Sequence, residues 1–169
     1  MVKTPRIRAI MSKRGLLALV ACVSVIAVFP PAARAAEENF FTVGAITVGL
    51  PWARAAKSGG DTLAFFKVDN AGAADTLLSA SSEVAGSIEI VGLVNQGGKI
   101  GTTTIGPIEL LPGPMLFDPG GLGLALHDLT RDLVMGEAFD LTLTFRNAGR
   151  LTVPVGIEAP DAMLSSEDH

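Results

Sequence analysis

The alternation of apolar and polar residues in "FDLTLTFR" constrains the fold of this chain more than any other feature. Its apolar residues are Phe139, Leu141, Leu143 and Phe145, and a single polar residue follows each of them. A period of two places one face of a strand in a core and the other face in water. The segment Asn147-Ala148-Gly149 then forms a short turn into a second alternating segment, "RLTVPVGI". The pair predicts a β-hairpin. Because Pro154 has no N–H to donate, we expect the last strand to lie at an edge or to be bulged there.

Short apolar and β-branched segments occur along most of the chain, separated by glycine, asparagine and proline. They predict further strands over residues 42–48, 63–68, 76–80, 87–93, 99–104 and 122–127. The sequences between them, such as "NQGG" and "LPGPMLFDPGG", are predicted to be turns. No helical repeat of apolar residues continues for more than about two turns. The spacing therefore indicates a single all-β domain, either a sandwich or a barrel.

The first 35 residues have the composition of a secretory signal peptide. Lys13 and Arg14 precede an apolar run over residues 15–29, and Ala33-Arg34-Ala35 forms a small-x-small cleavage site. The run is too short to span a bilayer, which takes about 18 or more apolar residues. We therefore expect cleavage after Ala35, export to the periplasm, and a mature chain without a transmembrane segment.

Two alternatives at the N-terminus remain open. Leu19-Val20-Ala21-Cys22 fits the pattern that precedes a lipidated cysteine, so the chain could instead be a lipoprotein anchored at Cys22. The first residue could be Met11 rather than Met1, because "MSKRGLLAL" already begins with basic residues.

Removal of the leader makes the remaining chain strongly acidic. Six of the 13 Lys and Arg residues lie in the leader, which leaves 7 against 17 Asp and Glu and a net charge of −10. An acidic surface argues against nucleic acid as a partner. Cys22 is the only cysteine, so the mature chain has neither a disulfide nor a thiolate ligand.

Few residues of the mature chain are suited to catalysis. The chain has one interior histidine, no tyrosine and no Gly-x-Ser-x-Gly motif. Three clustered serines have no histidine near them in sequence, and two loop aspartates are predicted to be solvated: Ser79, Ser81 and Ser82, then Asp128 and Asp132. We expect a binding protein with no cofactor rather than an enzyme.

Several motifs, in one consistent order over about residues 47–157, resemble the periplasmic copper chaperone family PCu(A)C. They are "LPWARAAKSGG", "LAFFKVDNAGAADTLLSASSEVAGSIEI", "GGLGLALHDL" and "GEAFDLTLTFRNAGRLTVPVGI". The resemblance implies a cupredoxin-like β-sandwich over residues 36–158, in agreement with the periodicity. The sequence becomes polar after it, which predicts a flexible tail over residues 159–169. Within the first motif we expect Trp52 to pack against the core and Arg54 to hold a nearby carboxylate.

The resemblance also implies where copper would be held. Family members bind Cu(I) with a His, a Met about eleven residues later and a His-x-Met further on, all soft donors suited to that ion. In this chain the four positions are occupied by Val91, Thr102, Gly123 and Ala125. None of these side chains is a copper ligand. We therefore expect the family scaffold without its usual copper site.

Two functions are compatible with such a loss. The first is binding of a protein partner or a small ligand without copper. The second is a Cu(I) metallochaperone for cytochrome oxidase assembly that uses other ligands, either His127 with Met115 or Met163 with His169 in the tail. A lone histidine beside an aspartate is more often a structural or surface residue, and methionine often fills gaps in a core. These tendencies favour the first function.

Overall fold

The computed structural model describes residues 39–96 and 99–164. The predicted signal peptide, Cys22, both candidate start residues and His169 lie outside these residues. Within the described part, no helix is long and apolar enough to cross a membrane.

The described chain consists of eleven strands joined by turns. They are β1 (Phe40–Val43), β2 (Ile46–Arg54), β3 (Thr62–Asn70), β4 (Asp75–Ser81), β5 (Ala85–Gln96), β6 (Lys99–Thr104), β7 (Ile108–Leu110), β8 (Gly113–Phe117), β9 (Leu122–Leu129), β10 (Ala138–Phe145) and β11 (Arg150–Glu158). They form one sheet in the order β6-β5-β9-β3-β2-β11-β10-β4-β7, with β1 added to β2 and β8 added to β3. The sheet curls so that β4 and β5, far apart in this order, contact each other. The predicted all-β, cupredoxin-like fold is confirmed.

The hairpin predicted from "FDLTLTFR" is formed by β10 and β11. Leu141 lies opposite Val153, and both are completely buried. On the other face the hydroxyls of Thr142 and Thr152, which also lie opposite each other, are 2.8 Å apart and hydrogen-bonded. The period of two therefore separates core from surface as the sequence indicated.

The last strand, β11, has one neighbouring strand at Pro154 and two neighbouring strands beyond it. Pro154 lies opposite Asp140 of β10. β2 pairs with β11 only from Gly156 onward, in parallel, with Gly156 opposite Trp52. At the proline, β11 thus has a single ladder partner, which a residue without an N–H tolerates.

Two sequence predictions of local structure were wrong. Residues 42–48, predicted as one strand, contain the turn between β1 and β2, where Gly44 adopts a positive φ of 58° that glycine accepts readily. The predicted turn "LPGPMLFDPGG" contains strand β8. Pro114 of β8 lies opposite Asp69 of β3, and β8 pairs with β3 alone. Proline is compatible with a strand that has only one neighbour.

Apolar side chains pack on both faces of β3 and β9. The main core lies inside the curled sheet and includes Phe66 and Phe117, whose rings stack with centroids 4.4 Å apart. A smaller group on the opposite face, here called the outer cluster, consists of Trp52, Phe65, Val91, Leu93 and Ala125. The alternation along a strand explains this division, since Phe65 and Phe66 are consecutive residues that point to opposite faces.

A buried carboxylate ties the β10–β11 turn to the start of β4. Asp75 accepts hydrogen bonds from the backbone N–H groups of Thr76, Asn147 and Ala148, at 2.7, 2.9 and 2.8 Å. Burial acts to raise the pKa of Asp75, but the three N–H donors and the charge of Arg146 outweigh it, so the pKa lies below the ordinary 3.8.

We expect Asp75→Ala to lower the free energy of unfolding by about 2 kcal/mol at neutral pH, because backbone N–H groups lose their acceptor. In the native protein this contribution is present above the ordinary pKa of 3.8 and is lost as pH falls through the lower folded value. Urea unfolding at neutral pH and at progressively lower pH measures both effects. Asp140→Ala, which removes an exposed carboxylate of β10, is the control. A difference between wild type and Asp75→Ala that did not shrink below this pH would contradict the assignment.

Candidate functional site

Three of the four positions assigned to copper by the resemblance meet on the outer face of the sheet. Val91 of β5 lies directly opposite Gly123 of β9. Ala125, two residues further along β9, packs with Val91 in the outer cluster. Thr102 lies on β6 opposite Leu93 and is exposed, at the margin of the group.

The outer cluster is closely packed. Trp52 is 5% exposed, Val91 1% and Phe65 0%. The ring centroids of Trp52 and Phe65 are 4.7 Å apart, with the planes tilted by 41°. This is a geometry that aromatic pairs favour. Packed hydrocarbon therefore occupies the region in which the resemblance implies soft metal donors.

Gly123 is required by the close approach of Phe65 rather than by its own backbone conformation. The φ of Gly123 is not positive. A Cβ at this position would lie 3.1 Å from Cε1 of Phe65 and 3.5 Å from Cδ1 of Leu93. A larger side chain at position 123 therefore displaces the Phe65 ring or its neighbours.

Residues 159–164, predicted to be part of a loose tail, contact the outer cluster in the structure. We call this segment the C-terminal strap. Ala162 packs against the cluster, and its carbonyl accepts a hydrogen bond of 2.9 Å from Nε of Arg54. Nη2 of Arg54 lies 3.4 Å from Sδ of Met163, and the guanidinium carbon lies 5.7 Å from the centroid of Phe65.

The environment of Arg54 differs from the one expected from sequence. Its hydrogen-bond acceptors in the strap are a carbonyl and a thioether, whereas we expected a carboxylate. Burial lowers the pKa of Arg54, and the charge of Asp161 opposes this effect. Asp161 thus acts on Arg54 through its charge, while the carbonyl of Ala162 and the sulfur of Met163 make the direct contacts.

His127 lies on the same face as Ala125 but at a polar end of the sheet. Its Nδ1 is 3.2 Å from Oδ2 of Asp61, and its Nε2 is 3.9 Å from Oε2 of Glu89. The hydroxyl of Thr104 donates to the same oxygen of Glu89 at 2.6 Å. The hydrogen bond from His127 is the main cause that lowers the pKa of Asp61. These contacts give His127 the environment of a hydrogen-bonded surface histidine.

The structure does not bring His127 and Met115 together. Met115 lies opposite Val68 of β3 and packs against the main core. The neighbour of His127, Leu126, lies opposite Thr62. Six residues of β3 separate these two register positions, which is about 20 Å along the strand. Over residues 39–96 and 99–164, no group of three or more His, Cys, Asp or Glu is placed to hold a metal ion.

Among the serines and aspartates considered for catalysis, Ser82 and Asp132 have structural contacts, and Asp128, predicted to lie in a loop, is instead an exposed residue of strand β9. Ser81 and Ser82 line a shallow groove in which the Ser82 hydroxyl donates to the carbonyl of Asp140 at 2.5 Å. Asp132 accepts from Nζ of Lys57 at 2.7 Å and from the N–H of Ser58 at 2.9 Å. Hydrogen bonds from Lys57 and then Ser58 lower the pKa of Asp132.

A family model described as "Putative lipoprotein LpqE-like" matches residues 46–157, more than half of the chain. The chain belongs to this LpqE-like family. Its motifs had indicated the PCu(A)C copper chaperones, and that identification is confirmed, since the LpqE-like family is of the PCu(A)C type. The comparison with curated proteins found no match to this chain.

Solved PCu(A)C domains share the fold of the LpqE-like chain. The apo PCuAC domain from PmoF1 is 29% identical with a TM-score of 0.61, covering 72% of this chain and 99% of that one. The copper-bound PCuAC domain from PmoF2 is 27% identical with a TM-score of 0.60, covering 72% and 98%. The Cu(I) form of DR1885 from Deinococcus radiodurans, 22% identical with a TM-score of 0.56, covers 78% and 88% and shows the fold alone.

Sequence reasoning located Val91, Gly123 and Ala125 but missed the residues that pack around them. The side chains of Phe65 and Leu93 lie against Gly123, and Ala162 packs against the cluster. One signal was present in "TLAFFKV" and "LGLAL", where apolar residues are nearly continuous. Such runs are typical of strands that are buried on both faces.

We expect Gly123→Ala to lower the free energy of unfolding by about 1–3 kcal/mol, because the new methyl group overpacks against Phe65. In a Phe65→Leu background the same substitution should cost less, with a coupling of about 1 kcal/mol between the two sites. Denaturant unfolding of the four proteins completes the double-mutant cycle. Gly101→Ala is the matched control, since its Cβ would meet only the carbonyl of Val94, at 3.6 Å. Equal penalties in the two backgrounds would contradict the contact.

Proposed function

We propose that this LpqE-like chain is an exported, non-catalytic binding protein that acts through contact with a protein partner and holds no Cu(I) at the family position. The observation that carries the proposal is the packing of Val91, Gly123 and Ala125 around Phe65 in the outer cluster. A Cu(I) site needs several soft donors in fixed positions, and these residues supply none.

Several features favour a protein partner over other ligands. Trp52 and Phe65 in the outer cluster are almost fully buried, so their rings offer no open apolar face to a small molecule, which binds in a concave pocket. The acidic charge disfavours nucleic acid. Similarity to copper chaperone domains, one of them a copper-bound PCuAC domain, supports a chaperone-like role beside other copper-related proteins.

The absence of a Cu(I) site is tested by comparing the Cu(I) affinity of wild type with that of a variant that restores the family ligands. The variant carries Val91→His, Thr102→Met, Gly123→His and Ala125→Met, and a second version adds Phe65→Leu to make room at position 123. We expect the restored site to bind Cu(I) more tightly than wild type by at least about 100-fold, the upper range over which outer-shell changes alone alter metal affinity. Anaerobic Cu(I) titration against a competing chelator gives both affinities.

Two results of that titration bear on the alternative function, Cu(I) delivery for cytochrome oxidase assembly. Wild type that competes with a strong Cu(I) chelator would overturn the proposal and favour the metallochaperone. The single variants His127→Ala, Met115→Ala and Met163→Ala would then identify the ligand. Wild type that loses Cu(I) to the chelator, while the restored variants keep it, supports the proposal.

Export is the other part of the proposal that a direct measurement decides. We expect the mature protein to begin at Ala36, because the basic residues, the apolar run and Ala33-Arg34-Ala35 form a complete signal peptide. N-terminal sequencing and intact mass of the exported protein check this. A mass that includes a lipid on Cys22 would support the lipoprotein named in the family description instead.

A further inference from the structure

The C-terminal strap follows directly from a rigid part of the sheet. β11 ends at Glu158, which lies opposite Arg54 and whose carbonyl accepts the N–H of Ala55 at 2.9 Å. The chain then turns, with the N–H of Ala162 donating to the carbonyl of Ala159 at 3.0 Å. This turn directs Ala162 onto the outer cluster.

Arg54 is the main contact of the strap, and its own position is fixed. The carbonyl of Arg54 accepts a hydrogen bond of 2.7 Å from the hydroxyl of Thr62 on the neighbouring strand. Its guanidinium extends over the Phe65 ring and reaches both the carbonyl of Ala162 and the sulfur of Met163. The strap is therefore held by a side chain that belongs to the sheet.

The strap itself has few buried contacts. Of its side chains, Ala162 packs on the cluster, whereas Met163 and Leu164 are 58% and 61% exposed. A segment with one small apolar contact and a few part-exposed hydrogen bonds opens far more easily than the sheet beneath it. Ala162 of this weakly held segment packs against the outer cluster, to which Trp52 and Phe65 belong.

We propose that the C-terminal strap is a displaceable cover that occupies the outer cluster in cis and competes with a peptide segment of another chain. The open surface presents the edges of Trp52 and Phe65 beside the Arg54 guanidinium. It fits an extended segment with a small apolar side chain in the place of Ala162 and a carbonyl that accepts from Arg54. The inference rests on the proposed function in one respect, namely that the competing segment belongs to a protein partner.

Trp52 reports opening directly, because it is the only tryptophan of the chain. In the full chain, Ala162→Asp places a charge against the cluster and Arg54→Gln removes the guanidinium. Both should shift the Trp52 emission to the red and increase its quenching by acrylamide. Leu164→Asp, at the exposed end of the strap, and Arg131→Gln, whose guanidinium pairs with Glu137 at 3.2 Å, are the matched controls and should leave both signals unchanged.

A peptide of residues 158–164 tests competition in trans. Added to the Ala162→Asp protein, it should restore the wild-type emission with saturation, and the same peptide carrying Asp in place of Ala162 should not. Three results would each contradict the proposal of a displaceable cover. They are unchanged Trp52 emission in Ala162→Asp and Arg54→Gln, an equal shift in the control variants, and a peptide without effect. Neither copper nor a partner is present, so this result is independent of the proposed function.

Hydrogen exchange of the wild type extends the test to a protein without substitutions. The N–H of Ala162 should exchange much faster than the N–H of Ile157, which donates to the carbonyl of Glu137 within the sheet. Equal protection of the two groups would mean that the strap opens only when the sheet unfolds, and the proposal would then be wrong.

Discussion

The outer face of this protein depends on the contact between Gly123 and the Phe65 ring. Because position 123 has no side chain, Phe65 can approach β9 closely while it packs with Trp52. Val91 and Ala125 complete the layer, and Arg54 and the strap lie above it. A Cβ at position 123 would lie 3.1 Å from Cε1 of Phe65, so the ring or its neighbours would have to shift. The close packing of the outer cluster therefore depends on the absence of a side chain at this position.

The outer face changes character along β9. Around Gly123 and Ala125 it is hydrocarbon, while His127, one step further, is flanked by Asp61 and Glu89. The polar end keeps its side chains near water, where a hydrogen bond or an ion pair adds little to stability. The apolar end gains stability by excluding water from aromatic surface. A substitution at the polar end therefore changes weak contacts near water, whereas a substitution at the apolar end changes the burial of aromatic surface.

The sequence predicted regular strands well and local exceptions poorly. Alternation located β10 and β11, because it depends on the period of a strand alone. The resemblance selected Val91 and Gly123, and the structure places them opposite each other. The turn at Gly44 and the strand around Pro114 were missed, since glycine and proline signal a turn without excluding a strand. The approach of Phe65 to Gly123 and the docking of Ala162 depend on which faces meet in space. Residues distant along the chain determine such contacts, and no local pattern carries them.

The place of β11 in the sheet has a consequence for biosynthesis. Among the strands of the described residues this one comes last, yet it fills the gap between β2 and β10. Until it has emerged from the ribosome, β2 and β10 each lack a neighbour and the main core stays open to water. A domain with this order of strands gains its cooperative stability only after β11 has been made, because pairings between distant parts of the chain must wait for it.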